Sequence, residues 1–401
     1  MATIQTPSSS TLPARLDKRI LLLALGMFAL GTDAFVVAGV LPAISHDLTI
    51  SEGAAGQLVT IFSLTYGLGA PVFAAISGRW SRNKVLLVAL GAFCLVNVGS
   101  ALAPNYLLLL LTRLLAGCTA ATFAPLAYTT GTSLAPPQKQ GKALSLVALG
   151  LTVATVFGSP LGTWIGEHMG WRLSFGLVAL LAGIAFLALL LCGLPQVKRG
   201  LALSLKDRLV PIKEPHLLLA LLPALLWNLG VYVTYTYLAP LLHSMLSLTD
   251  ISVLLLAFGV GVIIGNVSGG TISDRLGEKR PLLIGLFLLT LTFALLPLAC
   301  TSILGASIAL FLWGLISSAI FTPQQHRLLA LAPQHANVIL ALNNSTLYLG
   351  IAFGSAVGGI ALQIVSVQIL PWIGATIIAL ALLVLFLSFR VGTENPASSE
   401  E

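Results

Sequence analysis

In this chain of 401 residues, 57% are hydrophobic and only 8% are charged, and the mean hydropathy is +1.00. A soluble domain carries about 25% charged residues, so too few polar side chains are present to cover a water-facing surface; lipid is the expected solvent, and an ordinary soluble domain is excluded. The net charge of +7 does not signal a nucleic-acid surface, because the basic residues fall in alternate short loops and form no stripe beside aromatics.

Residues 1–18 read as a polar Ser/Thr/Pro tail, without the charged-then-apolar pattern and small-residue cleavage site of a signal peptide. A membrane-spanning helix needs about 20 apolar residues. Runs of that kind occupy roughly 20–43, 54–77, 85–103, 107–132, 143–166 and 172–194, then roughly 215–242, 251–273, 281–300, 303–322, 337–362 and 368–389. An all-α integral membrane protein of twelve spans is predicted. Its two six-helix halves, 19–194 and 215–390, are joined by a linker, 195–214, with Lys198, Arg199, Lys206, Arg208 and Lys213, and followed by a tail, 391–401.

Lys and Arg accumulate in cytoplasmic loops. Arg79, Arg82, Lys84, Lys139, Lys142, the linker cations, Arg275, Lys279, Arg280 and Arg327 all fall in loops on the side of the termini, whereas Arg172 is the exception among the opposite loops. Both termini are therefore expected in the cytoplasm, and the chain in the cell inner (plasma) membrane. The halves also repeat. Gly158-Ser159-Pro160-Leu161-Gly162 matches Gly354-Ser355-Ala356-Val357-Gly358, and Arg79-Trp80-Ser81 matches Arg275-Leu276-Gly277, each 196 positions on. An even-span unit repeats in the same orientation, which predicts pseudo-symmetry about an axis along the membrane normal.

Four motifs stand in order along the chain: Gly31-Thr32-Asp33-Ala34-Phe35-Val36 followed by Leu41-Pro42 in span one, Arg113-Leu114-Leu115-Ala116-Gly117 in span four, Gly158-Ser159-Pro160-Leu161-Gly162 in span five, and Gly270 to Arg280 between spans eight and nine. With these the chain resembles the major facilitator superfamily, specifically its twelve-span drug:proton antiporter branch, and is similar to sugar-efflux and chloramphenicol-efflux transporters. The resemblance implies export, a monomer, and an inner gate formed by Asp274, Arg275, Lys279, Arg280 and Arg79. One departure matters: Gly78 stands where the family carries an Asp in the first-half loop, so the family's charge network cannot be carried over to that half.

Asp33 and Arg113 are the charges inside the predicted spans, at similar depth below the outer surface. An ionisable side chain there costs at least about 2.5–3.5 kcal/mol and normally faces the bundle interior or a wet cavity. Burial and a neighbouring guanidinium act on a carboxyl in opposite directions, and arginine does not give up its proton. Asp33 is thus the expected proton carrier and Arg113 the group that tunes it, against the alternative of a static packing pair.

Small residues suggest close packing: Gly117, Ala120, Ala121 and Ala124 in span four, Gly158, Gly162 and Gly166 in span five, Gly261, Gly265 and Gly269 in span eight, and Gly354 and Gly358 in span eleven. The resemblance implies that spans five and eight, with Gly158, Pro160, Gly162, Gly261 and Gly265, meet across the halves as a rocking interface. Asn228, Tyr232 and Tyr235 share one stripe of span seven, and Asn343, Asn344 and Tyr348 lie in span eleven. Apolar walls with a few orienting amides and phenols suit uncharged or amphiphilic ligands; Tyr235 and Tyr237 alternatively belong to an interfacial aromatic belt.

The cysteines are isolated in apolar runs, and no metal-ligand cluster, nucleotide-binding Gly-x-x-x-x-Gly-Lys-Ser/Thr loop or Ser-His-Asp set can be picked out. The expectation is a transporter rather than an enzyme, with the proton gradient as driving force, no cofactor and no metal. It exports a small neutral or amphiphilic solute (drug, sugar or nucleoside class) in exchange for protons. The alternative on the same fold is a symporter or uniporter that imports such a solute.

Overall fold

The computed structural model describes residues 16–77, 80–195 and 214–393. Among these, twelve helices are long and apolar enough to cross a bilayer, and there is no strand. They are α1 (Arg19–Asp47), α2 (Glu52–Ser77), α3 (Arg82–Ala101), α4 (Tyr106–Ser133), α5 (Pro137–Met169), α6 (Trp171–Cys192), α7 (Pro215–Tyr235), α8 (Ser252–Leu276), α9 (Lys279–Ala299), α10 (Ile303–Leu331), α11 (Ala336–Ala361) and α12 (Leu370–Thr393). In hydrocarbon an unpaired backbone group is costly, so each segment closes its hydrogen bonds internally. Twelve crossings return the chain to its starting side. α1 begins and α12 ends at one face of the bundle, the terminal face.

Local chemistry sets the helix ends. The Asn105 side chain accepts from the Leu108 N–H at 3.0 Å and caps α4, and Ser302 accepts from the Gly305 N–H at 3.1 Å and caps α10. Two spans depart from the uniform helices that hydropathy predicts. α5 contains a π-helical turn, Ala154–Gly158, just before Pro160. Pro160 has no N–H to offer the Val156 carbonyl and its ring would strike that carbonyl, so the widened turn absorbs the mismatch. α7 ends at Tyr235 instead of running to 242, and a separate helix, Leu238–Leu246, follows; Pro240 cannot donate to the Thr236 carbonyl. A third span is longer than expected. α10 runs past 322 to Leu331, so Arg327, expected in a loop, sits on a helix and is only 4% exposed.

α1 packs on α5 and α6, α2 on α4, and α3 on α4 and α6; in the second half α7 packs on α11 and α12, α8 on α10, and α9 on α12. Across the halves, α2 lies along α11. The other cross-half packing sits toward the face opposite the termini, where α8 meets the π turn and the Ser159–Met169 part of α5, and α1 meets the helix Leu238–Leu246. At that face Arg172, the exceptional cation, is neutralised: it pairs with Asp47 at 2.6 Å and donates to the Ala103 carbonyl at 3.1 Å.

The glycine faces require a correction. A Cβ at Gly158 or Gly162 would strike Thr32 or Val36 of α1, one at Gly261 or Gly265 would strike the Phe311 or Leu315 carbonyl of α10, and one at Gly354 or Gly358 would strike α7 or Tyr237. These residues, with the buried Pro160 between the first two, therefore bring helices together within a half. Spans five and eight do meet, but through Gly259, where a Cβ would lie 2.6 Å from the Val156 Cα. In α2, Gly53 and Gly67 likewise face the Gly359 and Ser345 carbonyls of α11. A small-residue stripe marks a close approach without naming the partner helix.

Candidate functional site

Asp33 on α1 and Arg113 on α4 face each other inside the first half, each 1% exposed. Arg113 Nη1 donates to Asp33 Oδ1 at 2.8 Å. Two ions taken out of water at several kcal/mol each are tolerated here because neighbours share the load. Arg113 Nη2 donates to Asn97 Oδ1 at 3.0 Å and to Ser100 Oγ at 3.2 Å, both on α3. Ser100 also bonds Thr112 at 2.9 Å, and the Asn97 amide is anchored to the Phe93 carbonyl at 3.0 Å. The guanidinium lies 4.7 Å from the centre of the Phe175 ring and 5.8 Å from that of Phe62, a favourable placement for a cation.

The network is asymmetric. Nη2 is held by two neutral acceptors, whereas Nη1 is held by a carboxylate. Among the described residues, Asp33 Oδ2 and Arg113 Nε have no hydrogen-bond partner. Sequence reasoning found the two ions but missed Asn97, Ser100 and Thr112. Asn97 and Ser100 stand three apart on one helix face near the end of span three, which is the signal that was available.

Of the predicted ligand-lining residues, Tyr235, Asn344 and Tyr348 lie where the halves touch. Phe35, two positions after Asp33, meets Tyr235 edge to face at 6.3 Å. Tyr235 in turn packs on Tyr232 at 5.3 Å, Phe258 at 5.4 Å and Trp313 at 6.0 Å. The Tyr235 hydroxyl lies beside Ser159 without a hydrogen-bonding geometry, and among the described residues Trp313 Nε1 has no partner. Tyr235 and Tyr237 are 3% and 0% exposed, which excludes the aromatic-belt placement; Tyr237 instead donates to the Ser355 carbonyl at 2.8 Å. Phe258 and Trp313 carry no polar pattern in sequence and were missed.

A second aromatic contact crosses the halves. Tyr66 of α2 stacks on Tyr348 of α11 with ring centres 3.7 Å apart, and Asn344 lies beside Tyr66. Asn343 is buried, and its Oδ1 has no partner among the described residues. Asn228 is also buried, but its amide donates to the Ala224 carbonyl one turn back at 2.8 Å, and its Cβ abuts Gly350 of α11. Asn228 thus lies where α7 packs on α11 within the second half.

The expected gate residues Asp274, Arg275, Lys279 and Arg280 lie exposed at the terminal face and form no ion pair among the described residues. Arg79 lies outside the described residues. Packing between the halves is concentrated elsewhere, as described above.

Comparison with known proteins follows the same lines. The sequence model described as Major Facilitator Superfamily matches residues 23–355 and 245–401. The chain is 33% identical over 385 residues to the inner membrane transport protein YdhP of Escherichia coli (strain K12), covering 95% of this chain and 98% of that one. It is 33% identical over 389 residues to a chloramphenicol resistance protein of Streptomyces lividans, covering 94% and 98%. In structure it is similar to a bacterial homologue of the human lysosomal transporter Spinster in an inward-facing, occupied conformation, with a TM-score of 0.74, 18% identity, and coverage of 94% and 98%.

Proposed function

This chain belongs to the major facilitator superfamily, and from that premise we propose that it exports a small neutral or amphiphilic solute in exchange for protons, with Asp33 as the coupling residue. The observation that carries the reading is the buried Asp33–Arg113 pair, 2.8 Å apart and each member 1% exposed. Protonation of Asp33 cancels one charge of the pair. Arg113 then keeps Asn97, Ser100 and the Phe175 ring but loses its carboxylate, so α1 is no longer tied to α4 by an ion pair. α1 also carries Phe35, which touches Tyr235 of the second half. A change in how α1 is held is thereby transmitted to the aromatic cage in which the solute is recognised.

The terminal face is the cytoplasmic side in this reading, supported by the Lys and Arg of its loops. The packing of α5 on α8 and of α1 on Leu238–Leu246 then seals the outer side, and the exposed gate residues belong to the state open toward the cytoplasm. Alternating access closes that side while loosening the outer one. The solute class is supported by the cage itself, which offers rings, a phenol and an indole N–H, and by the resistance protein among the relatives.

The test is solute flux in proteoliposomes under imposed pH gradients, with chloramphenicol as probe. Exchange predicts that a proton gradient directed into the compartment facing the terminal side drives the drug out of it, and that Asp33→Asn abolishes this response while the protein still inserts. Drug moving with the protons, or unchanged gradient-driven flux in Asp33→Asn, contradicts the proposal.

A further inference from the structure

One side chain at the break between α7 and the helix Leu238–Leu246 lies where the two halves close on each other. Tyr237 stands in that break and is fully buried. Its hydroxyl donates to the Ser355 carbonyl of α11 at 2.8 Å, and the hydroxyls of Thr236 and Ser355 bond each other at 2.6 Å. Both bonds are internal to the second half. They fix the phenol to α11.

Glycines of both halves wall the phenol in. On the α11 side, a Cβ at Gly358 would lie 2.5 Å from the Tyr237 ring, and one at Gly359 would lie 2.6 Å from the hydroxyl oxygen. On the α2 side, a Cβ at Gly56 would overlap the same hydroxyl. One turn earlier, a Cβ at Gly53 would lie 2.7 Å from the Gly359 carbonyl oxygen. Any residue larger than glycine would intrude at each of these positions, so Gly53, Gly56, Gly358 and Gly359 leave a slot that one phenol fills. The slot belongs to the face opposite the termini, because α2 begins there at Glu52 and α11 ends there at Ala361. Tyr237 has little room to yield. Its hydroxyl is bonded, and the α11 backbone stands behind its ring.

We propose that Tyr237 is a plug carried by the second half and Gly56 its socket on the first, engaged while the face opposite the termini is closed and parted when that face opens. Opening moves α2 away from α11 at this level. The contact with Gly56 is then lost, whereas the bond to Ser355 survives because donor and acceptor move together. Tyr237 is thus a positioning residue: it sets the balance between the two access states without touching the solute. The inference rests on the alternating-access part of the proposed function and not on Asp33, the proton or the identity of the solute.

Spin–spin distances in the full-length protein, with its four native cysteines replaced by serine, read the two faces separately. A labelled pair at Leu102→Cys and Leu304→Cys spans the halves at the face opposite the termini, and a pair at Lys142→Cys and Gln334→Cys spans them at the terminal face; all four positions are exposed. Gly56→Val should lengthen the first distance and shorten the second, moving the ratio of the two states about tenfold or more, because valine and the phenol cannot share the slot. Adding Tyr237→Ala to Gly56→Val empties the slot and should return both distances to their wild-type values. A plain packing defect would broaden the distances without opposite shifts. That result, unchanged distances in Gly56→Val, or opposite shifts that persist in the double variant, would each overturn the proposal. Solute flux is not measured, so this inference and proton exchange fail independently.

Discussion

The two halves share a fold and a repeat but distribute their polar chemistry differently. In the first, the buried carboxylate and guanidinium meet and are satisfied within one bundle, by residues of α1, α3 and α4. In the second, the cage of Tyr232, Tyr235, Phe258 and Trp313 holds dipoles and rings but no ion, and the buried Arg327 lies apart, toward the terminal face. A titratable charge is useful for coupling where its partner is fixed and its own ionisation can change. Recognition of an uncharged solute needs shape and a few unpaired polar atoms. In the proposed division of labour, Phe35 against Tyr235 is a direct contact between the half with the ion pair and the half with the cage.

The largest effect should come from breaking the first half at its cation. Arg113→Ala leaves Asp33 buried without a partner, a situation worth about 3–5 kcal/mol of destabilisation. Proton-driven transport should be lost and thermal unfolding lowered. Arg113→Lys, which cannot bond Asp33, Asn97 and Ser100 from one planar fork, should not restore transport; full recovery by lysine would show that charge alone suffices.

Next in size is the interface. Gly259→Leu places a side chain where a Cβ already lies 2.6 Å from the Val156 Cα. It should hold the face opposite the termini open, read as increased labelling of an engineered cysteine there. Labelling equal to wild type would mean that the π turn simply moves aside.

Asn97→Ala removes one of two neutral acceptors on Nη2. A hydrogen bond to a charged group contributes about 1.5–3 kcal/mol, so coupled transport should fall roughly ten- to a hundredfold, and its pH profile should shift. An unaltered profile with normal rates would relegate Asn97 to packing. The smallest effect is expected in the second half. Trp313→Phe keeps a ring but deletes the unpartnered Nε1, so KM for the solute should rise by about two- to tenfold with the pH profile unchanged. A shifted profile would break the division of labour between the halves.

Much of this was legible in the amino-acid order because a bilayer imposes strict rules. The twelve spans follow from apolar runs, and Asp33 and Arg113 stood out because an ion within a span is expensive. What escaped had a physical reason in each case. Asn97, Ser100 and Thr112 are short polar residues that a helix can satisfy on its own backbone, so the three-residue spacing of Asn97 and Ser100 marks a shared face without naming Arg113 as their partner. Phe258 and Trp313 look like ordinary membrane residues until Tyr235 is placed between them. Gly158 and Gly261 were assigned to the wrong contacts because small-residue spacing encodes proximity and not a partner. Arg327 followed Pro323, Gln324 and Gln325, which resemble a loop, whereas the helix continues through them and buries it.

The central claim is that solute binding and the ionisation of Asp33 are linked. It is tested most directly by adding chloramphenicol to purified protein in weakly buffered solution and recording the pH. The account predicts that wild-type protein releases protons on binding and that Asp33→Asn, still binding the drug, releases none. Identical proton release from both proteins would contradict it.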